Sequence, residues 1–177
     1  YALNDNGMKK NFTRIALAFF TGFIAMNAQA ATGWFSDYIK LNVNGNGVSA
    51  PTGWYWIGTD PSYATQFDAA NLGTVTSLIL DGADMKYWSD TQDRTGSSFF
   101  YRIMSADGLT EIVSPVETVM TQTGPTGNDY QSTSSGLNIN LLSYALQPGT
   151  SYRLQFFAKS WGSGQGDSWL SNSGANY

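Results

Sequence analysis

Apolar and polar residues alternate with a period of two through most of the chain after residue 30. Near its start, Ile39, Leu41 and Val43 are separated by Lys40 and Asn42. This alternation is typical of β-strands with one buried face, and no segment keeps a helical period of 3.6 residues for more than two turns. The pattern predicts an all-β domain with eight strands, at 39–43, 54–57, 75–80, 85–88, 98–104, 116–122, 137–142 and 151–159.

Residues that favour turns separate these predicted strands. They include Asp81-Gly82, Asp107-Gly108, Pro148-Gly149, Asn44-Gly45-Asn46-Gly47 and Gly124-Pro125-Thr126-Gly127. Short strands divided by such turns indicate an antiparallel β-sandwich. Two polar stretches rich in Gly, Ser or Thr, 121–136 and 160–173, are predicted to be long loops, where binding surfaces are commonly built.

The segment 8–30 has the three parts of a secretory signal peptide. Basic residues follow Met8, an apolar stretch runs from Ile15 to Met26, and Ala28-Gln29-Ala30 matches an A-x-A cleavage site. Because a membrane span takes roughly 20 apolar residues, this stretch is too short to be one. We therefore expect residues 1–7 to be an upstream or vector-derived remnant, 8–30 to be removed, and 31–177 to be one secreted or cell-surface domain outside the membrane.

The segment Leu146–Ala158 reads Leu-Gln-Pro-Gly-Thr-Ser-Tyr-Arg-Leu-Gln-Phe-Phe-Ala. It resembles the Leu-x-Pro-Gly-Thr-x-Tyr run, followed by alternating apolar residues, of fibronectin type III and related immunoglobulin-like sandwiches. The resemblance implies an immunoglobulin-like β-sandwich in which the ring of Tyr152, after Pro148-Gly149, is buried and its hydroxyl bonds upstream backbone. Since such a sandwich closes with a strand beside 151–159, we also expect a further strand after Tyr177, so that the chain as given is truncated.

The Trp-rich motifs Gly53-Trp54-Tyr55-Trp56 and Tyr87-Trp88-Ser89-Asp90, together with the signal peptide, resemble N-terminal modules of secreted bacterial surface proteins. This second resemblance implies export and a chain that continues into downstream modules. It implies no particular activity.

The composition removes several kinds of chemistry. The chain has no Cys and no His, so disulfides, thiol nucleophiles, imidazole bases and the usual zinc ligands are excluded. Only 12% of the residues are charged, against about 25% in an average globular domain. The net charge is −4 and no basic run is present to follow a phosphate backbone, so nucleic acid is not an expected partner.

Tryptophan is the most informative residue type that remains. Trp161 and Trp169 bracket a glycine-rich loop that contains Asp167. A flat aromatic ring can stack on the apolar face of a pyranose while a neighbouring carboxylate binds its hydroxyl groups. The alternative is that the rings belong to the core, since each aromatic side chain buries roughly 150 to 250 Å². The candidate ligand-binding residues are Trp54, Trp56, Trp88, Trp161, Asp167 and Trp169.

A group of aspartates is a candidate metal site. Asp81, Asp84, Asp90 and Asp93 lie close together in the sequence. Calcium takes about six to eight oxygen ligands and needs neither His nor Cys. We therefore consider these four as a candidate Ca²⁺ site, with solvated turn residues as the alternative, and expect no other cofactor.

Catalysis is not expected of this chain. A glycoside hydrolase needs two carboxyl groups roughly 5 to 10 Å apart across a cleft, whereas Pro115 interrupts the segment between Glu111 and Glu117. We expect a non-catalytic binding or adhesive module whose ligand is a glycan or another cell-surface polymer. A structural spacer in a larger secreted protein is the alternative, and a glycoside hydrolase fragment comes third.

Overall fold

The computed structural model of the chain describes residues 31–45, 53–58, 65–68, 70–164, 166–172 and 176–177. Two β-sheets pack against each other in this part of the chain, which confirms the predicted all-β sandwich. The predicted signal peptide at 8–30 and the remnant at 1–7 lie outside the described residues. None of the helices in the described part is long and apolar enough to cross a membrane.

Ten strands and one short 3₁₀ turn, Leu141–Ser143, make up the regular structure of the described residues. The strands are β1 Thr32–Val43, β2 Trp54–Trp56, β3 Thr65–Gln66, β4 Leu78–Ser89, β5 Arg94–Ser105, β6 Glu111–Val119, β7 Thr121–Thr126, β8 Asp129–Asn140, β9 Tyr152–Gly162 and β10 Ser168–Leu170. The larger sheet has the order β3-β2-β1-β4-β8-β7 and the smaller one β10-β9-β5-β6. All neighbours are antiparallel except β2 and β3.

Each sheet places strands that are distant in the sequence side by side, with β4 next to β8 in the larger sheet and β5 next to β9 in the smaller one. Tyr152 begins β9, and its hydroxyl accepts a hydrogen bond from the backbone N–H of Gln147 at 2.8 Å. This is the backbone contact expected of a tyrosine corner, although the ring is partly rather than fully buried.

The core lies between the two sheets and follows the period-two pattern. Ile39, Leu41 and Val43 of β1 are fully buried, and Phe99 of β5 and Phe156 of β9 are buried in the same cluster. Full burial of an apolar side chain of this size stabilises the fold by about 1.5 to 3 kcal/mol. Residues between them along each strand therefore point to the outer faces of the sandwich.

The predicted turn at Asp81-Gly82 was wrong. β4 runs from Leu78 to Ser89 without a break and joins two of the predicted strands. The register toward both neighbouring strands shifts next to Gly82, which marks a β-bulge. A Cβ atom at this position would overlap the carbonyl oxygen of Ser134 on β8, so Gly82 serves a close approach between strands.

The predicted loop at 121–136 was also wrong, because it forms β7 and much of β8. The buried side of β8 carries Tyr130 and Ser132, and the Ser132 hydroxyl lies 2.9 Å from the Tyr87 hydroxyl. Hydrogen-bonded hydroxyl groups thus replace the apolar residues that would have shown the alternation. The predicted loop at 160–173 is shorter than expected, since β9 extends to Gly162 and β10 follows at Ser168.

The free edge of β9 is already partly paired by the last described residues. β10 pairs with β9 at Ala158 to Ser160. The backbone of Tyr177 exchanges two hydrogen bonds with Phe156, of 2.6 and 3.0 Å. Trp169 and its neighbours therefore belong to the strand beside β9, and a strand after Tyr177 stays a prediction.

Candidate functional site

Four aromatic side chains form a cluster on the outer face of the smaller sheet. Phe100 lies on β5, Phe157 and Trp161 on β9, and Trp169 on β10. Their inward neighbours are buried in the core, so strand alternation directs these four rings to the opposite face. We call this group, Phe100, Phe157, Trp161 and Trp169, the aromatic face.

The rings of the aromatic face are close and similarly inclined. Phe100 and Phe157 are cross-strand partners whose rings stack with centroids 4.9 Å apart and planes 4° apart. The Trp169 indole lies 5.9 Å from Phe100 and 6.3 Å from Phe157, with its plane tilted by 32° and 34°. Trp169 is 49% exposed, so the stacked pair supports an indole that remains open to solvent.

Lys159 places a cation in the middle of these rings. Its ammonium nitrogen lies 5.5 Å from the ring centroids of Trp161 and Trp169 and 5.6 Å from that of Phe100. The same nitrogen is 3.9 Å from a carboxylate oxygen of Glu117 on β6. An ammonium within about 6 Å of an aromatic centroid is attracted to the ring. Lys159 therefore lies between the aromatic rings and the carboxylate of Glu117.

Trp161 is positioned by a glycine on the neighbouring strand. Gly96 of β5 is its cross-strand partner. A Cβ atom at Gly96 would overlap Cζ2 of the indole, and Cε2 would also be too close. The ring therefore occupies the space above the glycine backbone, where a larger residue would displace it.

The glycine-rich loop between Trp161 and Trp169 is attached to the start of β5. Arg94 is buried, and its Nη1 donates to the carbonyl oxygens of Ser160 at 3.3 Å and Gly166 at 3.0 Å. The backbone N–H of Gly164 donates to Asp93 Oδ2 at 3.1 Å. Two points of the loop are thus fixed to the adjacent residues Asp93 and Arg94.

The Asp93 carboxylate remains charged because of its hydrogen bonds. Burial alone would raise the pKa of Asp93, but donors from Thr91, Ser89 and Gly164 and the nearby Arg94 hold the pKa below its ordinary value. The two hydroxyl groups lie 2.9 and 3.0 Å from Oδ1. A charged Asp93 is therefore available to hold the loop at neutral pH.

A second attachment fixes β10, which carries Trp169. The Ser168 hydroxyl accepts hydrogen bonds from the Thr32 hydroxyl at 3.0 Å and from the Trp34 indole N–H at 3.2 Å. Both donors belong to β1 of the larger sheet. Although β10 is short, Trp169 is thus held by contacts to both sheets.

Polar side chains continue the outer face beyond the rings. Arg102 Nε donates to Gln155 Oε1 at 2.8 Å, and its Nη1 lies 3.7 Å from a carboxylate oxygen of Glu111. Gln155 and Phe157 follow one another on the outward side of β9. Hydrogen-bond donors and acceptors therefore lie next to the aromatic face.

The other candidate tryptophans lie elsewhere. Trp54 and Trp56 share the outer side of β2 while Tyr55 is in the core, as the alternation of side chains along a strand requires. Trp56 is buried against Gly58, with its centroid 5.2 Å from that of Tyr38. Trp54 lies within 6.5 Å of the Tyr38 ring, and Lys40 is 6.0 Å from the Trp54 centroid.

Trp88 and Asp167 also remain outside the aromatic face. Trp88 is half-buried on the larger sheet and packs over Gly33, its partner on β1. Asp167 is exposed in the glycine-rich loop, one residue before β10. The structure thus brings Trp161 and Trp169 together and leaves Trp54, Trp56 and Trp88 on the opposite side of the sandwich.

The four candidate calcium ligands have separate partners. Asp81 is 2.8 Å from the Lys40 ammonium, and Asp84 accepts two hydrogen bonds from Gln131. Asp90 accepts from the Ala31 N–H, and Asp93 holds the glycine-rich loop. Within the described ranges, no group of three acidic side chains is close enough to hold a metal ion.

Sequence reasoning missed Phe100, Phe157 and Lys159 as members of the site. Phe157, Lys159 and Trp161 recur at every second position, a signal that places them on one side of a strand. The same strand carries an inward apolar set at 156 and 158, so the sequence alone did not tell which set faced the solvent.

Comparison with protein-family models, with curated proteins and with solved structures finds no match to this chain. The candidate function therefore depends on the geometry of the site.

Proposed function

We propose that the chain is an exported, non-catalytic binding module that recognises carbohydrate through the aromatic face. The observation that carries the proposal is the exposed Trp169 indole, which is supported by the stacked Phe100 and Phe157 rings and lies beside the Lys159 ammonium. Export and membership of an immunoglobulin-like family are parts of this proposal, inferred from the signal-peptide pattern and from the Tyr152 segment.

The apolar part of the proposal concerns stacking. A pyranose presents C–H groups on one side, and burying these against an indole removes apolar surface from water. Trp169 offers the open ring, and the stacked phenylalanines limit its movement. An immobile aromatic surface loses little conformational entropy on binding, which favours recognition of a ligand with few strong contacts.

The polar part concerns the hydroxyl groups of the sugar. Lys159 and Arg102 carry N–H donors, while Glu117 and Gln155 carry acceptor oxygens, all on or beside the aromatic face. Their charges pair within the site, since Lys159 lies by Glu117 and Arg102 by Glu111. Because the site is close to neutral overall, a neutral glycan is the favoured ligand class.

The two alternative functions, a structural spacer and a glycoside hydrolase, would require different features of the aromatic face. A structural spacer gains nothing from leaving Trp169 half-exposed beside other aromatic residues, whereas such exposed apolar patches often mark interaction sites. A glycoside hydrolase would need its carboxyl groups free to act on a bond. Glu111 and Glu117 instead lie beside Arg102 and Lys159, which favours a binding role.

A glycan-array screen tests the proposal. Wild-type protein should bind a set of related glycans, and Trp169→Ala should lose those signals. Phe35→Ala is the matched control, because Phe35 is also an exposed aromatic residue, at 41%, but lies on β1 of the other sheet. Equal signals from both variants, or no glycan bound by the wild type, would contradict the proposal.

A further inference from the structure

Asp37 is a buried carboxylate with little to balance its charge. The residue lies on β1 and is 2% exposed. Its carboxylate accepts one described hydrogen bond, from the backbone N–H of Lys86 to Oδ1 at 3.2 Å. Among the ion pairs between described residues, none includes Asp37.

The surroundings of Asp37 resist ionisation. Burial raises the pKa of Asp37 well above its ordinary value, the Lys86 N–H lowers it in part, and the Asp84 carboxylate raises it further. The charge of Asp37 in turn helps to raise the pKa of Tyr177, after burial and together with a smaller effect of Asp68. The charged groups that shift these two pKa values are therefore acids, Asp84 for Asp37 and Asp37 with Asp68 for Tyr177.

A small cavity of about 250 Å³ has Asp37 in its lining. Trp34 of β1 and Leu170 of β10 face it from the two sheets, and the Trp34 ring is fixed by its hydrogen bond to Ser168. Besides Asp37, the lining residues are Trp34, Phe35, Trp56, Gly58, Leu170 and Tyr177.

The chemistry of this lining suits one class of ligand. A buried carboxylate is costly unless a counter-charge is present. Calcium would need more oxygen ligands than one carboxylate supplies, whereas an ammonium ion needs one anionic partner and is attracted to surrounding aromatic rings. The cavity is smaller than the roughly 300 Å³ at which pockets for drug-sized ligands begin, so the ligand must be small.

We propose that the cavity beside Asp37 binds a small organic cation, a primary or quaternary ammonium ion. The Asp37 carboxylate pairs with the charge, and the side chains of Trp34 and Tyr177 lie against the alkyl groups. Leu170 faces this cavity while its neighbour Trp169 faces outward. The cation site is therefore independent of the aromatic face and of the proposed carbohydrate binding.

Titration with choline tests the site. Its uncharged counterpart is 3,3-dimethyl-1-butanol, which has the same shape without the charge, and the full chain is used in buffer free of organic amines. Choline should bind with a dissociation constant of about 1 mM, and the uncharged analogue at least about tenfold more weakly. The Trp34 indole N–H signal in NMR spectra should shift on addition of choline, which locates the site.

Two variants provide the controls. Asp37→Asn keeps the size of the side chain and should weaken choline binding at least about tenfold, while Asp90→Asn, an exposed carboxylate outside the lining, should leave it unchanged. Affinity should rise with pH as Asp37 loses its proton. Equal binding by Asp37→Asn, equal binding of the uncharged analogue, or no binding of choline would overturn the proposal. Trp169→Ala should bind choline normally, which separates this test from that of carbohydrate binding.

Discussion

The indole of Trp161 lies over the backbone of Gly96, its partner on the adjacent strand, at a distance that leaves no room for a Cβ atom. The same arrangement occurs on the larger sheet, where Trp88 lies over Gly33, its partner on β1. The Trp56 indole instead covers Gly58, which follows it two residues later in the chain, outside β2. Packing of an aromatic ring over a strand glycine compensates for the missing side chain. At Trp161 this packing also determines where the edge of the aromatic face lies.

Replacing Gly96 should therefore disturb both stability and the site. Gly96→Ala would force the Trp161 ring away from β5, and overpacking of this kind typically costs about 1 to 3 kcal/mol. Urea unfolding measures the loss, and the ring current shifts of Phe100 and Lys159 in NMR spectra report the movement. Gly166→Ala is the control, because a Cβ atom there would meet nothing within 4 Å. If the two variants are equally stable, Gly96 does not position Trp161.

The hydroxyl of Tyr152 should make a measurable contribution to stability. Tyr152→Phe removes the hydrogen bond from the Gln147 N–H and leaves the ring in place. The expected loss is about 0.5 to 1.5 kcal/mol, the net value of one hydrogen bond. The midpoint of urea unfolding should fall with little change in slope. A variant as stable as the wild type would show that this corner contributes nothing to the sandwich.

Asp37 should make the stability of the protein depend on pH. Because its folded-state pKa lies above the unfolded value of about 3.9, folding favours the protonated form. That stabilisation is fully present below the unfolded pKa and is lost as the pH rises through the folded pKa. Asp37→Asn, which cannot ionise, should therefore gain stability relative to the wild type as the pH is raised.

Urea unfolding at several pH values between 4 and 8 measures this difference in the absence of organic amines. Asp93 and Asp107, whose pKa values are lowered, act in the opposite direction in both proteins and cancel in the comparison. A difference between wild type and Asp37→Asn that stays constant with pH would contradict the account of Asp37.

The sequence predicted strands correctly where one face of the strand is apolar. β1, β5 and β9 have that alternation, and all three were found. It failed at β8, whose inward positions include hydrogen-bonded Tyr130 and Ser132, and at Gly82, where a close approach between strands resembles a turn signal. Both failures have one cause. The hydrogen bond between Ser132 and Tyr87 and the close approach of Ser134 to Gly82 are contacts to another strand, so neither leaves a pattern in the local sequence.

The site was predictable only in part for a related reason. Two tryptophans at the ends of a glycine-rich loop were recognisable as a pair, but their approach depends on Arg94 and Asp93, far away in the sequence. Phe100 joins them only through the β5–β9 register. The sequence pattern of β9 contains two outward aromatic residues and a lysine, yet nothing in it identifies the strand beside them.

Binding of a glycan to Trp169 is the most direct test of the central claim. Isothermal titration should be carried out with the best glycan from the array, using wild type, Trp169→Ala, Trp169→Phe and Phe35→Ala. Loss of the indole should weaken binding at least about tenfold, equivalent to about 1.4 kcal/mol, because tryptophans in binding sites often contribute more than this. Trp169→Phe should retain part of the affinity, and Phe35→Ala should retain all of it. Unchanged affinity in Trp169→Ala would show that the aromatic face is not the carbohydrate site.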